Sequence, residues 1–203
     1  MSSTTLSNTS VIKDIITYAS RVKQFNKTDW IVYVIWVGLM LGLFAAVTGF
    51  LLIGQNAGVS YPAYVWNIPL GIFIFSIAIS FDTIGHRTVY KAYLEKCEAL
   101  VHHVTIFAGI TSTVLLCLAY TWPEFLKIPT AVFIVMSIVY SIIDEAMHWH
   151  RYMTQNSDRV EMVSHFFIFI GHNIMVAAWW VWYINGYPGV AETIKAKEAL
   201  FGF

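Results

Sequence analysis

Histidines and acidic residues are concentrated in one stretch of this chain, residues 82–172. All seven histidines fall inside it: His86, His102, His103, His148, His150, His165 and His172. Three acid–histidine pairs are four residues apart and one is three apart: Asp82 and His86, Glu98 and His102, Glu161 and His165, and Glu145 and His148. Positions three or four apart share a helix face, so each pair can present a carboxylate and an imidazole to the same neighbour.

These residue types predict a metal site. Imidazole with carboxylate suits iron, zinc or manganese, whereas copper(I) prefers sulfur ligands. Helical bundles hold paired transition metals with carboxylates and histidines from four helices. We therefore expect two non-haem irons, with zinc, manganese or haem b as alternatives. The predicted metal residues are Asp82, His86, Glu98, His102, Glu145, His148, Glu161, His165 and His172. His172 follows His165 by seven residues, about 10 Å deeper by helical rise, and the sequence does not say which histidines bind directly.

The composition places these residues in a membrane protein. Of 203 residues, 58% are hydrophobic and 12% charged, against about a quarter charged in soluble domains. The predicted fold is an all-α integral membrane bundle forming one domain, 1–203. Residues 1–28 are an N-terminal tail and an interfacial helix (11–25), 29–184 the transmembrane bundle, and 185–203 a C-terminal tail. Five predicted spans exceed or approach the roughly 20 residues that a bilayer needs: 30–53, 62–81, 100–120, 129–150 and 161–182. Pro62 and Pro129 open the second and fourth spans, and Pro69 is a candidate kink.

Five spans also predict an orientation. The N-terminus, the 82–98 connection and the 151–159 connection share one side, which carries nine of the twelve Lys and Arg residues. Positive residues favour the cytoplasmic side, so we expect a cytoplasmic-membrane protein with its N-terminus inside and its C-terminus on the opposite side. The four acid–histidine pairs then lie at one level, near the cytoplasmic ends of four helices. The zero net charge argues against nucleic acid as a partner.

One motif carries a family resemblance. Asp144-Glu145-Ala146-Met147-His148 resembles the Asp-Glu-x-x-His signature of ferritin-like di-iron carboxylate proteins, especially the Asp-Glu-Ala-x-His form of alternative oxidases. The resemblance implies that Glu145 bridges or binds iron and that His148 is a terminal ligand. The surplus of histidines looks more like membrane hydroxylases and desaturases with histidine-rich di-iron sites, although their His-x-x-His-His boxes are absent. The resemblance is to this class of protein, and membership of either family is not implied.

The expected function is an O₂-dependent oxidoreductase that hydroxylates or desaturates a lipid-like substrate. An apolar or acyl substrate would arrive from the lipid bilayer, and an electron-donor protein would supply electrons from the cytoplasm. Ionisable groups in the apolar region cost about 2.5–3.5 kcal/mol each and are usually functional. Three alternatives stay open: a quinol oxidase, a haem b electron-transfer subunit with axial histidines, and a metal or proton transporter. The sequence favours an enzyme without deciding it, and it leaves the oligomeric state open.

Overall fold

The fold was analysed in a computed structural model that describes residues 10–89, 96–155 and 158–202. All regular structure in these ranges is helical. The helices are α1 Val11–Ala19, α2 Lys27–Asn56, α3 Asn67–Thr88, α4 Lys96–Leu118, α5 Pro123–Gln155, α6 Arg159–Ile184 and α7 Val190–Phe201. Short 3₁₀ turns follow α1 (Ser20–Gln24) and precede α3 (Ala63–Trp66). Residues 1–9 of the predicted tail, and Lys91 of the predicted cytoplasmic connection, lie outside the described residues.

The five predicted spans correspond to α2–α6. Each of these helices is long and apolar enough to cross a membrane, which confirms the all-helical prediction, while insertion and orientation stay predictions. The helices extend beyond the predicted apolar segments because polar residues continue them. At the start of α2, for example, the Asn26 side chain accepts a hydrogen bond from the Asp29 amide (3.0 Å), and the Asp29 carboxylate accepts one from the Asn26 amide (3.2 Å). This reciprocal pair caps the helix.

Two prolines differ from their predicted roles. The fourth span begins at Pro123, and Pro129 lies inside α5. Proline is favoured at the first helical position, because the backbone N–H it lacks has no intrahelical partner there. Pro69 is the third residue of α3. In a first turn proline removes no intrahelical hydrogen bond, so Pro69 starts a helix and the predicted kink is not needed.

The helices pack in two tight pairs. α3 packs along α6 and α4 along α5, while α5 and α6 join the pairs and α2 lies against α3. The α3–α6 backbones come very close, since a Cβ placed on Gly171 would lie 2.7 Å from the Phe75 amide nitrogen. Small residues allow such approach between membrane helices. The apolar core, which includes Leu51, Ile68 and Trp179, fills the end of the bundle where α3 and α5 begin. The buried histidines and carboxylates lie at the other end of the bundle.

The N-terminal segment covers that other end. Predicted as one interfacial helix, it forms α1 and the 3₁₀ turn, with Ile12 and Ile16 more than 60% exposed. Ion pairs fix it to the start of α6: Asp14 pairs with Arg159, and Arg21 lies 2.9 Å from Asp158. The segment is therefore held beside the bundle end at which α3 and α5 end and α4 and α6 begin.

Candidate metal centre

Two groups of three side chains at this end can each hold a metal ion. The first is Asp82 and His86 from α3 with His102 from α4. The second is Asp144 and His148 from α5 with His165 from α6. Within each group the ligand atoms all lie within 4.8 Å of one another. Each carboxylate precedes a histidine of its own helix by four residues, so one helix turn separates them and both face the same neighbour.

The two groups are in contact and form one cluster, which we call the His–Asp cluster. His165 Nε2 lies 2.9 Å from Asp82 Oδ1 of the other group. His102 Nδ1 lies 3.3 Å from Asp144 Oδ2, again across the groups. The rings of His148 and His165 stack with centroids 3.3 Å apart. Two ions held here would be close neighbours, with a carboxylate of each group within reach of a histidine of the other.

A second layer of charge lies against the His–Asp cluster. Arg151, one turn beyond His148 on α5, donates hydrogen bonds to the carboxylates of Glu98 and Glu161. Glu161 Oε1 is also 3.3 Å from His148 Nδ1, and Arg151 Nη2 is 2.7 Å from the same nitrogen. Glu98 and Glu161 are therefore next to the cluster but paired with arginine, which fits a supporting position better than direct metal binding.

The buried carboxylates of this region are not balanced by arginine and lysine within the described residues. Four carboxylates are almost fully buried: Asp82 (3% exposed), Glu98 (7%), Asp144 (5%) and Glu161 (2%). In the part of the chain that the structure describes, Arg151 is the only Arg or Lys that pairs with any of them. With neutral histidines, four negative charges against one positive charge leave a net charge of −3. Buried charge without compensation is very unfavourable, so these carboxylates need further positive charge, which a protonated His165 beside Asp82 or a bound cation would supply.

Buried oxygen atoms without hydrogen bonds also favour a bound ion at this site. Asp144 Oδ1 and Glu161 Oε2 are buried and make no hydrogen bond to the described residues. Such atoms are rare in folded proteins and call for an explanation such as a bound ion. Asp144 belongs to a ligand group, and Glu161 lies beside one. The residues present therefore fit a pair of transition-metal ions with nitrogen and oxygen ligands.

The structure separates the predicted residues into three sets. Five lie in the ligand groups: Asp82, His86, His102, His148 and His165. Glu98 and Glu161 lie beside the groups on Arg151. Glu145 and His172 lie outside both groups, since Glu145 accepts a hydrogen bond from Trp149 Nε1 (2.8 Å) and His172 Nε2 lies 2.9 Å from Ser137 Oγ. The metal role of these residues stays a prediction.

Sequence reasoning missed Asp144. It chose Glu145 from the Asp144-Glu145 pair because Glu145 precedes His148 by three residues and the family resemblance assigns iron binding to the glutamate. The structure instead brings Asp144 to the histidines, while Glu145 lies one position around the helix, beside Trp149. The sequence does contain a pattern that identifies Asp144, because Asp144 precedes His148 by four residues, as Asp82 precedes His86.

A cavity of about 290 Å³ adjoins the His–Asp cluster. At one end it is lined by His102, Asp144 and His165, and it runs along α3, α4 and α6 to Met175 in the apolar core. Most of its walls are aliphatic or aromatic, including Trp36 of α2. The cluster is thus accessible from an apolar space between the helices.

Comparison with known proteins gives no relative: no family model, curated protein or solved structure matches this chain. The fold and site alone therefore define its class. It is an all-helical protein with five helices able to cross a membrane and a buried cluster of histidines and aspartates suited to metal ions.

Proposed function

We propose that this protein is a membrane oxidoreductase that binds two non-haem iron ions at the His–Asp cluster and uses O₂ to hydroxylate or desaturate a lipid-like substrate. The observation that carries the proposal is that four carboxylates are buried beside two groups of metal-ligand side chains, while Arg151 is their one Arg or Lys partner among the described residues. Two divalent ions would supply four positive charges where the protein supplies one.

The ligand chemistry limits the choice of metal. The two groups offer four imidazole nitrogens and two carboxylates, while Cys97 and Cys117 are exposed and belong to neither group. This set suits iron, manganese or zinc. The adjoining cavity favours iron, because an apolar substrate has no polar bond for a zinc-bound water to attack. When bound, two irons supply the redox chemistry that activates O₂, and the protein supplies position and exclusion of water.

The surrounding residues have roles that follow from their contacts. Metal binding at His148 Nε2 requires a proton on Nδ1, and Glu161 Oε1 is 3.3 Å from that nitrogen. A carboxylate behind a metal-binding histidine fixes the ring and raises its basicity. Glu161 would take this position, with Arg151 holding both Glu161 and Glu98. His148 Nδ1 now lies next to Arg151, which donates to it. With metal bound at Nε2, Nδ1 would carry a proton and would donate to Glu161 instead.

The membrane setting completes the proposal. The cluster residues lie two to eleven residues from the ends of α3 and α5 and six residues from the starts of α4 and α6. A cytoplasmic electron donor can therefore approach while an apolar substrate enters from the bilayer. The excess of Lys and Arg in the N-terminal segment and two connections supports a cytoplasmic location for this end. A quinol oxidase would use the same metal centre and differ in its substrate.

The test is O₂ consumption by iron-loaded protein in liposomes with a chemical reductant and hexadecanol or palmitate as substrate. We expect substrate-dependent O₂ uptake and a product that has gained oxygen or lost two hydrogens. Asp82→Asn and His148→Ala should abolish it, while Glu145→Gln, outside both ligand groups, should retain it. Zinc-loaded protein is the metal control.

Three results would reject the proposal. Iron-free protein with full activity would remove the metal from the reaction. A Soret band would indicate haem b and electron transfer through axial histidines. Rapid O₂ uptake with a short-chain quinol, and none with any hydrocarbon substrate, would assign the centre to a quinol oxidase.

A further inference from the structure

The cavity beside the His–Asp cluster opens sideways between two helices. α2 and α4 both line it, but within the described residues they do not pack against each other. Leu39 of α2 and Val114 of α4 line the cavity and are 57% and 49% exposed on the outside of the bundle. The gap between α2 and α4 therefore connects the cavity with the space that lipid would occupy around the spans.

Inside the cavity, formal charge is confined to one end. Among the described lining residues, Asp144 at the His–Asp cluster is the only one with a formal charge at neutral pH when histidines are neutral. Deeper in, His172 also lines the wall, but its Nε2 is 2.9 Å from Ser137 Oγ. A Cβ placed on Gly109 would meet His172 Cε1 at 3.6 Å, so this ring presents a carbon edge near Gly109. An occupant of the deep part must be apolar.

The size of the cavity limits the occupant further. Its volume of about 290 Å³ is at the lower end of the range of roughly 300–1,000 Å³ for small-molecule sites. That space suits one narrow chain and excludes both chains of a phospholipid. A polar terminal group would find partners only at the cluster end.

We propose that this cavity binds a single unbranched hydrocarbon chain that enters between α2 and α4, with its apolar end at Met175 and a small polar end at the His–Asp cluster. The proposal that the chain binds depends only on the shape and lining of the cavity. The consequence for reaction rests on the proposed function: the carbons presented to the metal centre would be those nearest the polar end of the chain.

The experiment measures binding in metal-free protein, so it does not depend on iron or on activity. Hexadecanol carrying bromine on its chain is titrated into detergent-solubilised protein, and quenching of tryptophan fluorescence is recorded. Trp36 lines the cavity, so Trp36→Phe identifies the signal that comes from the site. We expect saturable quenching in the wild-type protein and loss of that component in Trp36→Phe.

Matched glycine variants test whether the hydrocarbon chain lies in this cavity. Gly109→Leu places a side chain in the cavity, and we expect about tenfold weaker binding. Gly42→Leu is the control, because Gly42 of α2 does not line the cavity and nothing lies within 4 Å of a Cβ placed there. Val114→Trp, at the exposed side of the opening, should slow or weaken binding even if Gly109→Leu fails to fold.

Ligands with differently charged end groups test the orientation of the hydrocarbon chain in the cavity. In metal-free protein the net negative cluster should favour hexadecylamine over hexadecanol and hexadecanol over palmitate, and Asp144→Asn should reduce this preference. Non-saturable quenching, equal effects of Gly109→Leu and Gly42→Leu, or displacement by a tail-less quinone but not by unlabelled hexadecanol would each overturn the proposal. Equal affinity for all three end groups would overturn the direction. The proposed metal function could still hold in any of these cases, since metal content and O₂ uptake are measured separately.

Discussion

Asp144 and Glu145 are adjacent on α5, yet the structure predicts opposite consequences for their substitution. Asp144 is buried within hydrogen-bonding distance of His102 and belongs to a ligand group. Glu145 is half-buried and accepts a hydrogen bond from Trp149. Asp144→Asn and Glu145→Gln each remove one negative charge at nearly constant volume. They therefore form a matched pair that distinguishes a metal ligand from a neighbouring carboxylate.

The magnitude follows from linkage between binding and folding. Residues that merely support metal ligands change affinity by about 10–100-fold, so losing a direct ligand should weaken binding by about 100-fold or more. With free metal at about 100 times the wild-type Kd, binding stabilises the wild-type protein by about 2.7 kcal/mol. At the same concentration the Asp144→Asn protein would gain only about 0.4 kcal/mol. For a chain of this size that corresponds to about 5–10 °C against about 1–2 °C in Tm.

The assay is thermal unfolding in detergent with and without Fe(II) under anaerobic conditions. Wild type and Glu145→Gln should show the large metal-dependent increase in Tm, and Asp144→Asn the small one. Without metal, Asp144→Asn should be at least as stable as wild type, because it removes one of four buried negative charges that have Arg151 as their only Arg or Lys partner among the described residues.

The reasoning is refuted if the two variants respond to iron in the same way. It is also refuted if Glu145→Gln loses the response while Asp144→Asn keeps it, which would restore the assignment that the sequence motif implies. A lower metal-free Tm for Asp144→Asn would contradict the charge balance specifically.

Three further predictions test the surroundings of the cluster. Arg151→Met leaves Glu98 and Glu161 buried without their partner, and should lower metal-free stability by about 3 kcal/mol in thermal unfolding, the opposite sign to Asp144→Asn; an unchanged Tm would contradict it. Gly171→Ala puts a Cβ 2.7 Å from the Phe75 nitrogen and should cost about 1–3 kcal/mol, whereas Gly42→Ala in open space should change stability by less than about 0.5 kcal/mol. Ser137→Ala removes the partner of His172 and should leave the metal-to-protein ratio unchanged in elemental analysis; loss of metal would place His172 in the site.

The helical fold could be predicted because the apolar segments are long and interrupted by prolines and polar loops. Five spans follow from length and hydropathy alone. Helix ends were less predictable, since they depend on local partners such as the Asn26–Asp29 cap. Pro129 illustrates the same limit: a proline within a helical pattern marks a boundary or a tolerated interior position, and only the start at Pro123 decides between them.

The site could be predicted as a region and only partly as a set of ligands. Spacing of four residues pairs Asp82 with His86, which share a ligand group, and the same rule applied to His148 would have selected Asp144. The positions of Glu98 and Glu161 could not be predicted in this way, because their partner Arg151 lies on another helix. Which carboxylate meets arginine and which meets histidine is decided by packing between α4, α5 and α6. His172 shares a stripe with His165, but helical rise separates the two by about 10 Å.

Metal stoichiometry of the purified protein tests the central claim most directly. Protein loaded anaerobically with iron, desalted and measured by elemental mass spectrometry alongside Mössbauer spectroscopy should contain about two irons per chain, one for each ligand group. The Mössbauer spectrum of the oxidised sample should show two coupled irons, and Asp82→Asn and Asp144→Asn should each reduce the content. A folded, monodisperse protein that retains no transition metal would contradict the account, as would metal content that is the same in both aspartate variants and in the wild type.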